Sequence, residues 1–140
     1  MLEVLEPQQQ EHLKVLSQVQ KSSYYEIEKL EAGYAKVVLR LENVQTNDDG
    51  TTVFEGDIFR VANFTALASV NEPHTFVISA SVEFLSQIEI SSEEITLEAK
   101  SLSSSLGKKF VEVRAQINDI TIFMGNFTVI RLDNRSKIKV

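Results

Sequence analysis

The segment that most restricts the fold is TTVFEGDIFRVANFTALASV, residues 51 to 70. After Gly56 it predicts a helix with almost no polar side, which Asp57 is suited to cap and which NEPH at 71–74 ends. A helix that is apolar all round is stable only when it is buried. The rest of the chain therefore has to surround it. Asn63 stands in its middle, and burying an amide is costly unless the amide is hydrogen-bonded.

The remaining segments alternate between apolar and polar residues with a period of two, which predicts β-strands on both sides of the helix. One or two strands are predicted before the helix and about four after it, with short turns such as Asn47-Asp48-Asp49-Gly50 and SSSLGKK. The fold class is therefore α+β, an antiparallel sheet with one long helix. The residues predicted to share a face within one strand are Ala35, Val37, Leu39 and Leu41, then Phe76, Ile78, Ala80, Val82 and Phe84, then Val111, Val113, Ala115 and Ile117.

The first residues form a separate segment. Pro7 stands at a plausible first turn, and Leu13, Leu16 and Val19 follow at helical spacing, so residues 7 to 21 predict a short amphipathic helix. We expect an N-terminal helical arm over residues 1–23 that packs on one domain over residues 24–140.

The composition excludes several kinds of functional site and partner. The 140 residues contain no Cys, which excludes thiol nucleophiles, disulfides and thiolate metal sites and is typical of cytoplasmic proteins. The formal net charge of −6 argues against nucleic acid as a partner. No apolar run is long enough to span a membrane, and no secretory signal is visible. His12 and His74 lie far apart, and no spacing of ligands predicts a metal site.

One helix covers only part of one face of such a sheet. The apolar surface that is left uncovered predicts a second copy of the chain, and a two-fold dimer or a higher assembly through the sheet and helix is the commonest arrangement.

The order of elements, with FEGDIFRVANFTALASV followed by ISASVEFL, resembles the hotdog superfamily over roughly residues 24 to 132. In that superfamily a curved antiparallel sheet wraps one central helix, and dimers bind thioesters of coenzyme A or of acyl carrier proteins. The resemblance implies a thioesterase-like fold, coenzyme A esters as ligands, a role in fatty acid metabolism and no other cofactor.

In hotdog thioesterases of the phenylacetate-pathway type, a Gly-Gly pair opens the helix and an Asp or Glu follows two turns later. Here only Gly56 of the pair is present, and Asn63 stands in the place of the carboxylate. IFRVANFTALA, residues 58 to 68, is most similar to the effector domain of the malonyl-CoA-responsive repressor of fatty-acid synthesis. That domain also carries Asn there and binds a thioester without cleaving it.

Two differences limit this likeness. Only about twenty-three residues precede the first predicted strand, so the repressor's DNA-binding domain is not expected. Phe54 and Glu55 stand where the repressor presents an Arg to the malonyl group. The resemblance therefore implies an acyl-thioester-binding protein that is non-catalytic or weakly active, with regulation as an expected role.

The candidate ligand-binding residues follow the helix. Asn63 offers one acceptor and two donors but no titrating group near neutral pH. Gly56 and Asp57 place backbone N–H groups at the helix start, where they can polarise a thioester oxygen. Arg60 is suited to a phosphate or to a carboxylate of the second subunit. Phe54 and Phe59 complete the set of candidates around the ligand. For the coenzyme A phosphates the candidates are Lys108, Lys109 and Arg114.

Two alternatives remain open. Another hotdog thioesterase branch places its catalytic Asp in the loop before the helix, which makes Asp48, Asp49 and Glu55 candidates for an acyl-CoA thioesterase. Alternatively, Phe54, Phe59 or Phe64 fills the pocket and the protein is an interaction module.

Overall fold

The computed structural model describes residues 11–16, 19–20, 25–89 and 94–132. Within these residues it contains six strands, one complete α-helix and a short 3-10 helix at Leu41–Asn43. The elements in chain order are β1 (Tyr25–Glu31), β2 (Tyr34–Arg40), α1 (Glu55–Val70), β3 (Thr75–Phe84), β4 (Glu94–Ser105), β5 (Lys108–Ile117) and β6 (Ile120–Arg131).

The six strands form one antiparallel sheet in the order β1-β2-β4-β5-β6-β3. β4, β5 and β6 are neighbours because two-residue turns join them, at Leu106-Gly107 and at Asn118-Asp119. All four turn residues have positive φ, between 50° and 80°. Such turns match the twist of the strands that they connect. β1 and β3 lie at the two edges.

α1 packs across one face of the sheet, chiefly on β2, β4 and β5. The strand residues under it alternate as predicted, and the set from β2 and β5 is fully buried except for the partly buried Ile117. The helix contributes Ile58, Val61, Phe64 and its alanines to the same core. The predicted α+β architecture of a curved antiparallel sheet and one helix is confirmed.

The predicted alternation of β3 is wrong at one end. The pairing with β6 shifts register between Val77 and Ser79. Phe76 pairs with Ile130, whereas Ala80 pairs with Phe127, three residues earlier in β6. Because neighbouring strand residues point to opposite faces, Phe76 lies on the outer face and Ala80 lies on the face that carries α1. A β-bulge adds one residue, which a strict period of two does not anticipate.

The predicted N-terminal helix is only partly correct. Residues 11–16 are irregular, and helical backbone is described only at residues 19 and 20; the rest of the predicted helix lies outside the described residues. The irregular segment packs on the domain. The Glu11 N–H donates to the Leu30 carbonyl at 2.9 Å, and Val15 is buried.

Candidate functional site

α1 has one side that the sheet does not cover. Gly56, Phe59, Arg60 and Asn63 follow each other at three- to four-residue spacing, which places them on one side of the helix. Phe59 is 38% exposed, and its ring stacks on Phe127 of β6 with 6.0 Å between ring centroids. We call these four residues the open face of α1.

Asn63 is half-buried on this open face. Within the described part of the chain, no group forms a hydrogen bond with its side-chain amide. Its carbonyl oxygen and its two N–H donors are therefore available to a ligand, to water or to a second subunit.

The open face continues onto β3. Phe59 lies on Phe127, and Phe127 pairs with Ala80, which is exposed on the same side of the sheet. Further along β3, the partly exposed Phe84 makes an edge contact with Phe123, at 5.1 Å between centroids. An apolar surface thus runs from the helix to a sheet edge whose outer backbone groups have no neighbouring strand among the described residues.

The helix begins at Glu55, two residues before the predicted position, and Phe54 precedes it without a side-chain cap. The prediction that Asp57 caps the helix is therefore wrong. Asp57 lies buried in the first turn, where a negative charge favours the helix dipole. Its Oδ2 accepts a hydrogen bond from the Gln45 N–H at 2.8 Å, and its Oδ1 lies 3.4 Å from Arg60 Nη2. This carboxylate fastens the preceding loop to the helix.

The ring of Phe54 lies directly over Gly56. A Cβ atom added to Gly56 would stand 2.3 Å from Phe54 Cε2 and 2.6 Å from Cζ, both far inside contact distance. A side chain at this position would therefore displace the Phe54 ring, which glycine allows to lie against the helix. Phe54 itself is 44% exposed, so it forms one wall at the start of the helix.

The three candidate catalytic carboxylates differ in their surroundings, and Glu55 is the first residue of α1, not a residue of the loop before it as predicted. Asp49 Oδ1 accepts hydrogen bonds from the N–H groups of Thr51 at 2.8 Å and Thr52 at 3.0 Å, and the Thr52 hydroxyl donates to both of its oxygens. The Thr52 and Thr51 backbone groups lower the pKa of Asp49 from 3.8 to about 2. Such a carboxylate stabilises its turn and is a weak base.

Asp48 and Glu55 are exposed, and neither side chain forms a hydrogen bond with the described residues. Asp48 and Asp49 line an open cleft of about 520 Å³ formed by the loop and Phe54. Glu55 precedes Asn63 by eight residues, about 12 Å along a helix. A carboxylate and an amide at that separation do not contact the same atom of a ligand.

The predicted phosphate-binding residues do not form one cluster. Lys108 and Arg114 lie on the outer face of β5, about 20 Å apart at the rise of a strand. Lys109 lies on the opposite face, where Val111 is buried. Arg114 Nη2 lies 3.7 Å from Glu112, and Lys109 Nζ lies 3.3 Å from Glu72 Oε2.

Lys109 has two charged neighbours, Glu72 and Arg131, that the sequence did not predict. Glu72 contacts both Lys109 and Arg131, yet the three residues come from the end of α1, from β5 and from β6. No local spacing in the sequence indicates such a cluster, because strand pairing creates it. Among the described residues no group of three or more His, Cys, Asp or Glu side chains is arranged to hold a metal ion, and no helix is long and apolar enough to cross a membrane.

The sequence matches one curated protein over part of its length. No protein-family model matches the sequence. The chain is 31% identical over 106 residues to a methylthioribose-1-phosphate isomerase from Aquifex aeolicus, a match that covers 75% of this chain and 23% of that protein. The chain therefore spans less than a quarter of the length of the curated relative that it matches.

Solved structures match nearly the whole fold. An uncharacterized protein from Pyrococcus horikoshii, PH1136, superposes with a TM-score of 0.81 and 23% identity over 89% of this chain and 95% of its own. A point mutant of the phenylacetic acid degradation protein PaaI from Thermus thermophilus superposes with a TM-score of 0.73 and 17% identity, over 83% of this chain and 100% of its own. These neighbours share the six-stranded sheet around one helix. The chain therefore has the hotdog fold.

Proposed function

We propose that this protein binds an acyl thioester, of coenzyme A or of an acyl carrier protein, along the open face of α1 and does not hydrolyse it efficiently. The acyl group lies on the apolar surface between Phe59 and β3. The thioester or an amide of the pantetheine arm contacts Asn63. A second copy of the chain covers this surface and completes the site. The likeness to the repressor effector domain belongs to this proposal and extends neither to DNA binding nor to malonyl specificity.

The observation that carries the proposal is the state of Asn63. It stands where the resemblance to thioesterases expects the catalytic carboxylate, it is half-buried beside apolar residues, and no described group forms a hydrogen bond with its side chain. A carboxylate at this position activates water or attacks the thioester carbonyl. An amide does neither, but it donates to the carbonyl oxygen of the ligand.

Similarity to PaaI supports the ligand class, since a phenylacetic acid degradation protein agrees with the resemblance to thioesterases of that pathway. The exposed apolar residues of β3 support the second copy. Large apolar surfaces that reach an unpaired strand edge are typical of protein interfaces.

The test combines two measurements on the full chain. Release of free thiol from a panel of acyl-CoAs should stay at the uncatalysed background. Thermal unfolding with the same esters should show a higher Tm, because a ligand that binds only the folded state stabilises it. At a ligand concentration of about one hundred times Kd the stabilisation is about 2.7 kcal/mol, or roughly 10 °C for a chain of this size.

A thioesterase that uses one of these carboxylates is the second candidate function. Glu55 is a better candidate base than Asp49, because its side chain is exposed and forms no hydrogen bond with the described residues. Under that alternative, wild-type protein releases thiol well above background, and Glu55→Gln or Asp48→Asn abolishes the release. If neither hydrolysis nor a Tm shift occurs at millimolar ester, the result favours the interaction module, with Phe54 and Phe59 filling the site, since Phe64 is buried in the core.

A further inference from the structure

A cleft of about 330 Å³ lies at the other end of α1 from the helix start. The end of the helix, the beginning of β3, the β4–β5 hairpin and the end of β6 form its walls. Its polar lining consists of Glu72, Thr75, Ser104, Ser105, Lys109 and Arg131. We call it the Glu72 cleft. Its volume is at the small end of the range for ligand pockets.

Two cations in this cleft share one carboxylate. Lys109 Nζ lies 3.3 Å from Glu72 Oε2, and Arg131 Nη1 lies 3.9 Å from Glu72 Oε1. Within the described residues neither cation donates a hydrogen bond with normal geometry, so their donors are largely unused. Because two cations face one carboxylate, the cleft has an excess positive charge, in a chain whose formal net charge is −6.

The other polar groups of the cleft are mostly unused donors as well. The hydroxyls of Ser104 and Ser105 form no hydrogen bond with the described residues, whereas the Thr75 hydroxyl donates to the Glu72 carbonyl at 2.8 Å. Glu72 supplies the one carboxylate of the lining, whereas Lys109, Arg131 and the hydroxyls of Ser104 and Ser105 can all donate. A ligand with several negatively charged oxygens, as in a phosphate group, is complementary to such a lining.

We propose that the Glu72 cleft binds a phosphate group of a small ligand. Without the ligand Glu72 pairs with Lys109 and Arg131, and the phosphate replaces Glu72 as the partner of both cations. Arg131 and Lys109 then donate to the phosphate oxygens. The negative end of the helix dipole opposes an anion here, but it is weaker than two charge-assisted hydrogen bonds.

A neighbouring cleft of about 270 Å³ shares Glu72 and Lys109 and also contains Lys14 and Glu11. Glu11 Oε1 already accepts a hydrogen bond from Asn71 Nδ2 at 3.2 Å, so a second phosphate of the same ligand has room there and Lys14 as its cation. Pyrophosphate is therefore the smallest probe that uses both clefts. The proposal does not rest on thioester binding, since pyrophosphate carries no acyl group.

Isothermal titration of the full chain with inorganic pyrophosphate at constant ionic strength tests the proposal. We expect saturable binding that Lys109→Gln or Arg131→Gln weakens about tenfold, the size of one lost charge-assisted hydrogen bond. Glu72→Gln should tighten binding, because it removes the competing carboxylate. A parallel titration with ADP identifies the source of the phosphate: tighter binding than pyrophosphate indicates a nucleotide, and equal binding indicates a free phosphate.

Matched controls lie on the outer face of the sheet. Lys100→Gln and Glu112→Gln make the same changes of charge in a separate cleft. They should leave the affinity within twofold of wild type. The proposal is overturned if Lys100→Gln weakens binding as much as Lys109→Gln does, or if neither wild type nor Glu72→Gln binds pyrophosphate saturably.

Discussion

At the scale of single residues, two polar side chains next to the site differ in how their hydrogen bonds are used. Asp49 accepts hydrogen bonds from two backbone N–H groups and one hydroxyl, and the side chain of Asn63 forms none with the described residues. The first arrangement stabilises a turn, and the second leaves an amide available. This contrast is why the binding role belongs to Asn63 in our account and the structural role to Asp49.

The hydrogen bonds of Asp49 predict a pH dependence of stability. Because the folded-state pKa is about 2 and the ordinary value is 3.8, the unfolded chain binds a proton more readily. The stabilisation is present above the unfolded value and is lost as the pH falls from 3.8 through about 2. Asp49→Asn should flatten this part of the curve of Tm against pH.

Asp48→Asn is the matched control for this prediction, because it makes the same change in the same turn without removing a described hydrogen bond. It should leave the shape of the curve unchanged. Equal curves for wild type and Asp49→Asn would contradict the role that we assign to the Asp49 carboxylate.

At the scale of elements, the end of α1 depends on one residue. Asn71 follows the helix in the left-handed conformation, with φ of 51°, and is buried. Its Oδ1 accepts from the Lys14 N–H at 2.7 Å, and its Nδ2 donates to the His12 carbonyl at 2.8 Å and to Glu11 at 3.2 Å. Asn71 therefore ends the helix and also attaches the N-terminal segment to it.

Two substitutions separate these roles of Asn71. Asn71→Gly keeps the left-handed conformation and loses only the side-chain hydrogen bonds, which should cost about 1–3 kcal/mol because the Lys14 N–H loses its partner. Asn71→Ala should cost about 1 kcal/mol more, since Ala disfavours positive φ. Urea unfolding measures both.

The control is His74→Gly. His74 also has positive φ, at 64°, but its side chain is exposed. This variant should be as stable as wild type or more stable. If Asn71→Gly is as stable as wild type, the attachment of the N-terminal segment contributes nothing.

The elements also show what the sequence can predict. Strands whose one face is buried, such as β2 and β5, follow a period of two, so their inward residues were identified correctly. The β-bulge after Val77 was not predicted, because alternation along a strand carries no signal for an extra residue. The start of α1 at Glu55 was not predicted either, because the residue before it, Phe54, is not a capping residue. Lys108, Lys109 and Arg114 were predicted as phosphate-binding residues from the resemblance, but neighbouring strand residues face opposite ways, so the three do not share one site.

At the scale of the whole molecule, the uncovered apolar surface on α1 and β3 predicts self-association. Wild-type protein should sediment as a dimer or larger at micromolar concentration. Ala80→Glu places a carboxylate on the side of β3 that carries this surface and should shift the protein towards monomer, because burying an unpaired charge is costly.

Ser81→Glu is the matched control, since Ser81 is the next residue of the same edge strand and points to the outer face. It should leave the sedimentation coefficient unchanged. A monomeric wild type, or equal dissociation of the two variants, would refute an interface at this surface.

The affinity of an acyl-CoA for wild type and for Asn63→Ala tests the central claim most directly. Isothermal titration should give a Kd about fivefold higher for the variant, the effect of losing one hydrogen bond of about 1 kcal/mol. The Tm of the two ligand-free proteins should agree, because no described group bonds to this side chain. Equal Kd values for wild type and Asn63→Ala would contradict the account.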